Sequence, residues 1–265
     1  MDLTCKVACT YRLPATIATV PAEPVLLLTA TIDPRACINT QRGDPGQRTR
    51  DYRQALQVWL AHGWFRRIVL AENSGADPAV FAAEAAAMAE HGVAFEFLAC
   101  PPGDQDQARG KGFGEMGIIA AALLNSRLIT DGGAMQVVVK STGRYVQTNA
   151  GRLAALARRG LDGCAVVCDL RQQLASADSR VFAGTAAFLT QRFLPLRAMV
   201  DDARQVFFEH ALARAVHAAL AAGEHWRPLP CAPRIVGVGA TDNRAHRLSL
   251  GKRIRHAVMR RIIAF

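Results

Sequence analysis

Apolar residues along this chain come in short unbroken runs separated by stretches with helical spacing, and that alternation sets the expected architecture. Residues 25–32 (VLLLTATI) are bounded by Pro24 and by Asp33-Pro34 and read as a strand buried on both faces. Residues 51–62 then place Tyr52, Ala55, Leu56, Trp59 and Leu60 on one helical face and stop at Gly63. A second strand is expected at 67–71, an Ala-rich helix at 77–91 closed by Gly92, and a third strand at 93–100. The polar loop 101–114 precedes an apolar helix at 115–126, and Val137-Val138-Val139 opens a fourth strand. Further on, the pattern predicts a short basic helix at 151–159, strands at 164–170 and 177–184, and a helix at 185–193. An amphipathic helix at 204–222 and a last strand at 235–239 complete the series. Strand and helix in turn with short connections imply parallel strands joined by right-handed crossovers, an α/β fold with a Rossmann-like sheet flanked by helices.

Length and composition narrow the picture. The chain has 265 residues, 51% of them hydrophobic, enough for a sizeable core. A single domain over 1–243 is expected, with a first half at about 25–150 and a second at 151–243. Lys and Arg number 32 against 22 Asp and Glu, and the excess is concentrated. After Asp242 there is no acidic residue, while Arg244, Arg247, Lys252, Arg253, Arg255, Arg260 and Arg261 follow. In 244–265 the residues Leu250, Ile254, Ala257, Val258, Ile262 and Phe265 share one helical face, with Lys252, His256 and Arg260 opposite. A basic amphipathic helix of this kind suits an anionic membrane surface, where each basic residue contributes about 1 kcal/mol. Aromatic content of 6% and the lack of any stacking or recognition motif argue against a nucleic-acid-binding protein, the reading that the net charge of +10 would otherwise invite. The seven cysteines are odd in number and scattered, as reduced thiols of a cytoplasmic protein would be. Neither Cys5/Cys9 nor Cys164/Cys168 has a partner pair at zinc spacing, so no metal site is expected.

The chemistry lies where apolar strands end. Arginines at 35–50 follow the first strand, Glu72-Asn73-Ser74-Gly75 the second, and Lys140 to Asn149 the fourth. In a parallel sheet such loops project from one edge and meet around one ligand. Gly110-Lys111-Gly112-Phe113-Gly114 offers a glycine-rich backbone just before a helix, a setting that suits phosphate. A nucleotide or sugar-nucleotide pocket follows, although the segment is neither a P-loop nor a dinucleotide fingerprint.

Three of these stretches occur in an order that resembles a family. Glu72-Asn73-Ser74-Gly75, Gly110-Lys111-Gly112-Phe113-Gly114-Glu115 and Lys140-Ser141-Thr142-Gly143-Arg144-Tyr145 are similar to a group of bacterial glycosyltransferases of capsule and lipopolysaccharide assembly. Ala177-Asp178-Ser179-Arg180-Val181-Phe182 and the Glu209-His210 helix extend the resemblance over most of 25–240. It implies a GT-A-like fold with a mixed, mainly parallel sheet, a nucleotide-sugar donor (CMP- or NDP-linked) and a glycan or glycolipid acceptor. It also implies work at the inner face of the cytoplasmic membrane. The family's Asp-x-Asp is missing, and Lys140, Thr142 and Arg144 stand near its place, which implies metal-independent transfer with no cofactor. On this reading Arg42, Arg48, Lys111, Lys140 and Arg144, with Thr142 and Tyr145, hold the donor phosphate, and Glu72 and Asn73 contact base or ribose. Asp169, Glu209, His210 and Glu115 are the candidate bases, with Asp169 and His210 foremost. Lys140 and Arg144 are expected to be partly exposed. A sugar nucleotidyltransferase remains the alternative.

Overall fold

The structure is a computed structural model that describes residues 23–34, 43–100 and 108–236. Arg42, the cysteines at 5, 9 and 37, and the basic segment 244–265 lie outside the described residues.

Strand β1 (Val25–Ala30) is buried at every position. It pairs in parallel with β2 (Arg67–Glu72) on one side and with β4 (Val137–Thr142) on the other, and β2 pairs in parallel with β3 (Ala94–Ala99). A strand covered on both faces has no solvated side on which to place alternating polar residues, which is why VLLLTA is a continuous apolar run. Three strands from the second half extend the same sheet: β9 (Val181–Thr185), antiparallel to both its neighbours, then β6 (Val166–Val167) and β10 (Trp226–Arg227). The result is a seven-stranded, mainly parallel sheet in the order β10-β6-β9-β4-β1-β2-β3, flanked by helices as the pattern predicts.

Alternation along β1 divides the core between two faces. Leu26 and Leu28 pack with Tyr52, Leu56 and Trp59 of α1 (Pro45–His62) and with Leu153 and Leu156 of the helix Gly151–Arg158. Val25 and Leu27 face the opposite way, with Phe113, Met116 and Ile119 of the helix Lys111–Asn125 and Leu212 and Val216 of the helix Phe208–Ala221. The longest helices among the described residues are α1, α2 (Ala82–Glu90), α3 (Lys111–Asn125) and α4 (Phe208–Ala221).

Several boundaries differ from the pattern-based ones for identifiable reasons. Helix α1 begins at Pro45, six residues before 51, because Asp44 accepts a hydrogen bond from the Gln47 amide (2.6 Å) and Pro45 fits the first helical position. Helix α3 begins at Lys111, so its glycines are helical. Gly110 just ahead has φ +88°, and a Cβ there would run into the Asp202 carboxylate. Helix α4 begins at Phe208, because Gln205 has φ +59° and ends the short 3-10 turn Asp202–Arg204. The strand expected over 164–170 is two short ones, β6 and β7 (Leu170–Arg171), and β7 pairs with β8 (Ser176–Ala177) outside the main sheet. The strand expected at 235–239 begins as β11 (Ile235–Val236) but pairs with β5 (Val146–Gln147) in a separate ribbon. No helix among the described residues is long and apolar enough to cross a membrane.

Candidate functional site

Side-chain alternation brings the polar groups at the ends of β1 and β4 to one face. Lys140 and Thr142 continue the row of Val138 on β4, and Thr29 continues the row of Val25 and Leu27 on β1. That face lies under α3, whose first turns carry Glu115. The Thr29 hydroxyl donates to Glu115 Oε1 at 2.7 Å, and Lys140 Nζ lies 2.7 Å from the same oxygen. Lys140 Nζ also donates to the Ser179 carbonyl at 2.6 Å and to the Thr142 hydroxyl at 3.3 Å. The Ser179 hydroxyl in turn donates to Glu209 at 2.6 Å, in the first turn of α4. Residues from β1, α3, β4, the 178–180 connection and α4 thus meet at the carboxyl edge of the central strands, where open α/β sheets hold their ligands.

The neighbouring loops are tied to the same edge. The Thr31 hydroxyl donates to Asn73 Oδ1 at 2.6 Å, and the Gly143 amide donates to the Thr29 carbonyl at 2.9 Å. Glu72 is fully buried and accepts from the amides of Ile32 (2.9 Å), Ser74 (2.9 Å) and Ala76 (3.1 Å) and from the Ser74 hydroxyl. Its carboxylate therefore holds two loops from within. Asn73 beside it is half-buried at the edge. Arg48 is buried on α1, donating through Nε to the Thr31 carbonyl at 2.7 Å and toward the Tyr52 hydroxyl at 3.3 Å.

Lys140 is 1% exposed and Arg144 is 7% exposed, so the expectation of partial exposure is corrected for both. Strand β4 runs on through Thr142, and the ammonium is enclosed by the rings of Phe182 and Phe208 (5.9 and 5.3 Å). Arg144 lies over the Tyr145 ring at 4.7 Å and donates to its hydroxyl at 3.2 Å. Burial raises the Tyr145 phenol above its ordinary value, in spite of the Arg144 and Arg180 charges that act the other way.

Lys111 is exposed on the first turn of α3. The helix terminus expected to receive phosphate carries a carboxylate of the chain itself, since Asp202 accepts from the backbone of Gly112 and Lys111. Burial raises the Asp202 carboxyl above its ordinary value even so. Asp201 does its capping locally, accepting from the amides of Ala203 (3.0 Å) and Arg204 (3.3 Å).

Among the candidate bases, Asp169 is 5% exposed and accepts from the Leu229 amide at 3.0 Å. His210 is half-buried, and its Nδ1 accepts from the Phe207 amide at 3.1 Å, a cap on α4. Glu115, with a side chain 25% exposed, is the candidate that reaches both the central strands and the surface. Thr29 enters the site without having been singled out, although a polar residue in an otherwise apolar strand was a signal; Ser179 and Arg180 enter it from the stretch Ala177–Phe182 that extended the resemblance, with no role assigned to them.

Asp178, 4% exposed, is bracketed by Arg180 (2.7 Å) and Arg171 (2.5 Å). Burial pushes its carboxyl up, but the hydrogen bonds and charges of Arg180 and Arg171 outweigh that and hold it below the ordinary 3.8. A folded-state value below the unfolded one gives stability that is full above the unfolded value and lost as pH falls through the folded one. Acid unfolding followed by circular dichroism should therefore steepen below about pH 4, and Asp178→Asn should flatten that slope.

No family model matches this chain, and no curated protein is similar to it. Among solved structures, a Bacillus anthracis protein assigned as a glucose-1-phosphate thymidylyltransferase, crystallised with sucrose, matches 84% of this chain and 92% of its own. Identity is 10% and the TM-score 0.46, a likeness that does not identify chemistry. Among the described residues, no group of three or more His, Cys, Asp or Glu is placed to hold a metal ion.

Proposed function

We propose that the protein is a transferase acting on a nucleotide-linked sugar at the carboxyl edge of β1, β2 and β4, and that it moves the sugar to a hydroxyl acceptor. The observation that carries this reading is Glu115, a half-buried carboxylate fixed by Thr29 and Lys140 where the ends of β1 and β4 meet. Transfer to a sugar hydroxyl calls for a base that removes a proton as the new bond forms, and a positioned carboxylate suits that role. The alternative, nucleotidyl transfer to a sugar phosphate, uses a nucleophile with no proton to lose and calls for cations free to face a triphosphate. Here the ammonium of Lys140 is buried against a carboxylate, which favours the hydroxyl acceptor. The loops at 31–33 and 73–76 supply polar edges for the base and ribose. A glycan or glycolipid acceptor and an anionic membrane contact through 244–265 complete the proposal, the latter on sequence pattern alone.

Calorimetric titration of the full chain with CMP- and UDP-sugars, with and without EDTA, tests it. Binding at micromolar to submillimolar Kd is expected, and free nucleotide should appear on adding an acceptor. Release of pyrophosphate from a nucleoside triphosphate and a sugar phosphate would establish nucleotidyl transfer instead. Affinity abolished by EDTA would overturn metal-independent binding.

A further inference from the structure

The electrostatic partnership of Lys140 raises the question of what its charge is for. An ammonium has three protons to donate. Here the three acceptors are Glu115 Oε1 at 2.7 Å, the Ser179 carbonyl at 2.6 Å and the Thr142 hydroxyl at 3.3 Å. Two aromatic rings close over the group, and 1% of the residue is exposed. A phosphate oxygen would find neither a proton to accept nor a path to it.

Glu115 is the complement. The Thr29 hydroxyl donates to Oε1, Lys140 Nζ lies against the same oxygen, and the side chain is 25% exposed. The clamp is anchored on several elements: Thr29 on β1, Lys140 on β4, and Ser179 tied to Glu209 of α4. Such multiple anchoring fixes a carboxylate to within the tolerance that proton transfer demands.

We propose that Lys140, with Thr29, is a positioning residue that presents Glu115 Oε2 to the acceptor hydroxyl, and that it does not bind the donor phosphate. The inference rests on the glycosyl-transfer reading and deepens it. In the step concerned, the acceptor oxygen bonds to the anomeric carbon while the bond from that carbon to the leaving phosphate oxygen breaks, its electron pair departing with the nucleotide. The acceptor's proton passes to Glu115 Oε2 and from there to water. Glu115 touches the substrate and is the catalytic residue; Lys140 acts through it.

The test uses full-length wild type, Glu115→Gln, Lys140→Met and the double variant. Three readouts are taken: melting temperature, calorimetric affinity for UDP and CMP, and kcat and KM with the donor that the wild type turns over. Lys140→Met is expected to keep nucleotide affinity and donor KM within about two-fold while kcat falls by about 10-fold or more. Glu115→Gln leaves a buried cation with a neutral amide oxygen in place of its counter-charge, so the double variant should melt no lower than Glu115→Gln alone. A loss of nucleotide affinity of about 10-fold or more in Lys140→Met would make Lys140 a phosphate ligand and overturn the proposal. Additive melting shifts in a wild type that binds nucleotide would overturn the positioning role alone. A wild type that binds neither nucleotide would defeat the glycosyl-transfer reading, and the proton-transfer role would fall with it.

Discussion

Glu72→Ala is expected to lower the unfolding free energy by about 3–5 kcal/mol, at the upper end of what single substitutions do. The carboxylate is fully buried and accepts four hydrogen bonds, from the amides of Ile32, Ser74 and Ala76 and from the Ser74 hydroxyl. A buried donor left without an acceptor costs about 1–3 kcal/mol. The Ile32 amide retains the Ser74 hydroxyl at 3.1 Å, so the four losses do not simply sum. Glu72→Gln should cost less, because one amide oxygen still accepts, although its NH2 then faces a backbone N–H at the other position. Urea denaturation at constant m-value is the measurement. A loss below about 1 kcal/mol in the alanine variant would mean that water replaces the carboxylate and that the loops are not held by it.

The second large effect concerns turnover. Glu115→Gln is expected to reduce kcat by about 10²–10⁴-fold, the usual contribution of a positioned base. The glutamine keeps the size of the side chain and an oxygen for Thr29 and Lys140, but it cannot take the acceptor's proton. Stability should fall by about 2 kcal/mol, less than for a fully buried pair, because the amide oxygen still faces Lys140 and Glu115 is a quarter exposed. Steady-state kinetics and a denaturation curve on the same preparation separate the two effects. Unchanged kcat would remove Glu115 from the chemistry.

Much of the fold was legible because buried parallel strands leave a strong signature. VLLLTA, RIVLA and VVV are almost wholly apolar, and each is a strand paired as the alternation implies. The start of α1 was missed by six residues, because its first turns carry Arg48 and Arg50 in place of apolar residues and only the cap Asp44-Pro45 marks it. The site was less legible. Lys140 looks like the polar end of a strand, and only the pairing of β4 with β9 shows that it is enclosed by Phe182 and Phe208. Asp202 is adjacent in sequence to one helix and caps another, a choice made by tertiary packing that no local pattern records. The broken strand after residue 164 has the same origin. Only Val166 and Val167 find a partner in β9, and the chain then turns away to pair with β8.

The antiparallel strand β9 sits between β4 and β6, although it is made late in the chain. During synthesis the four strands β3, β2, β1 and β4 can assemble as soon as they emerge, but they then present the bare edge of β4, with its row of unsatisfied amides and carbonyls. Until residues 181–185 leave the ribosome, that edge is open to pairing with another nascent copy. The same arrival delivers the Ser179 carbonyl to Lys140, so the moment at which the edge of β4 is covered is also the moment at which its lysine gains that bond.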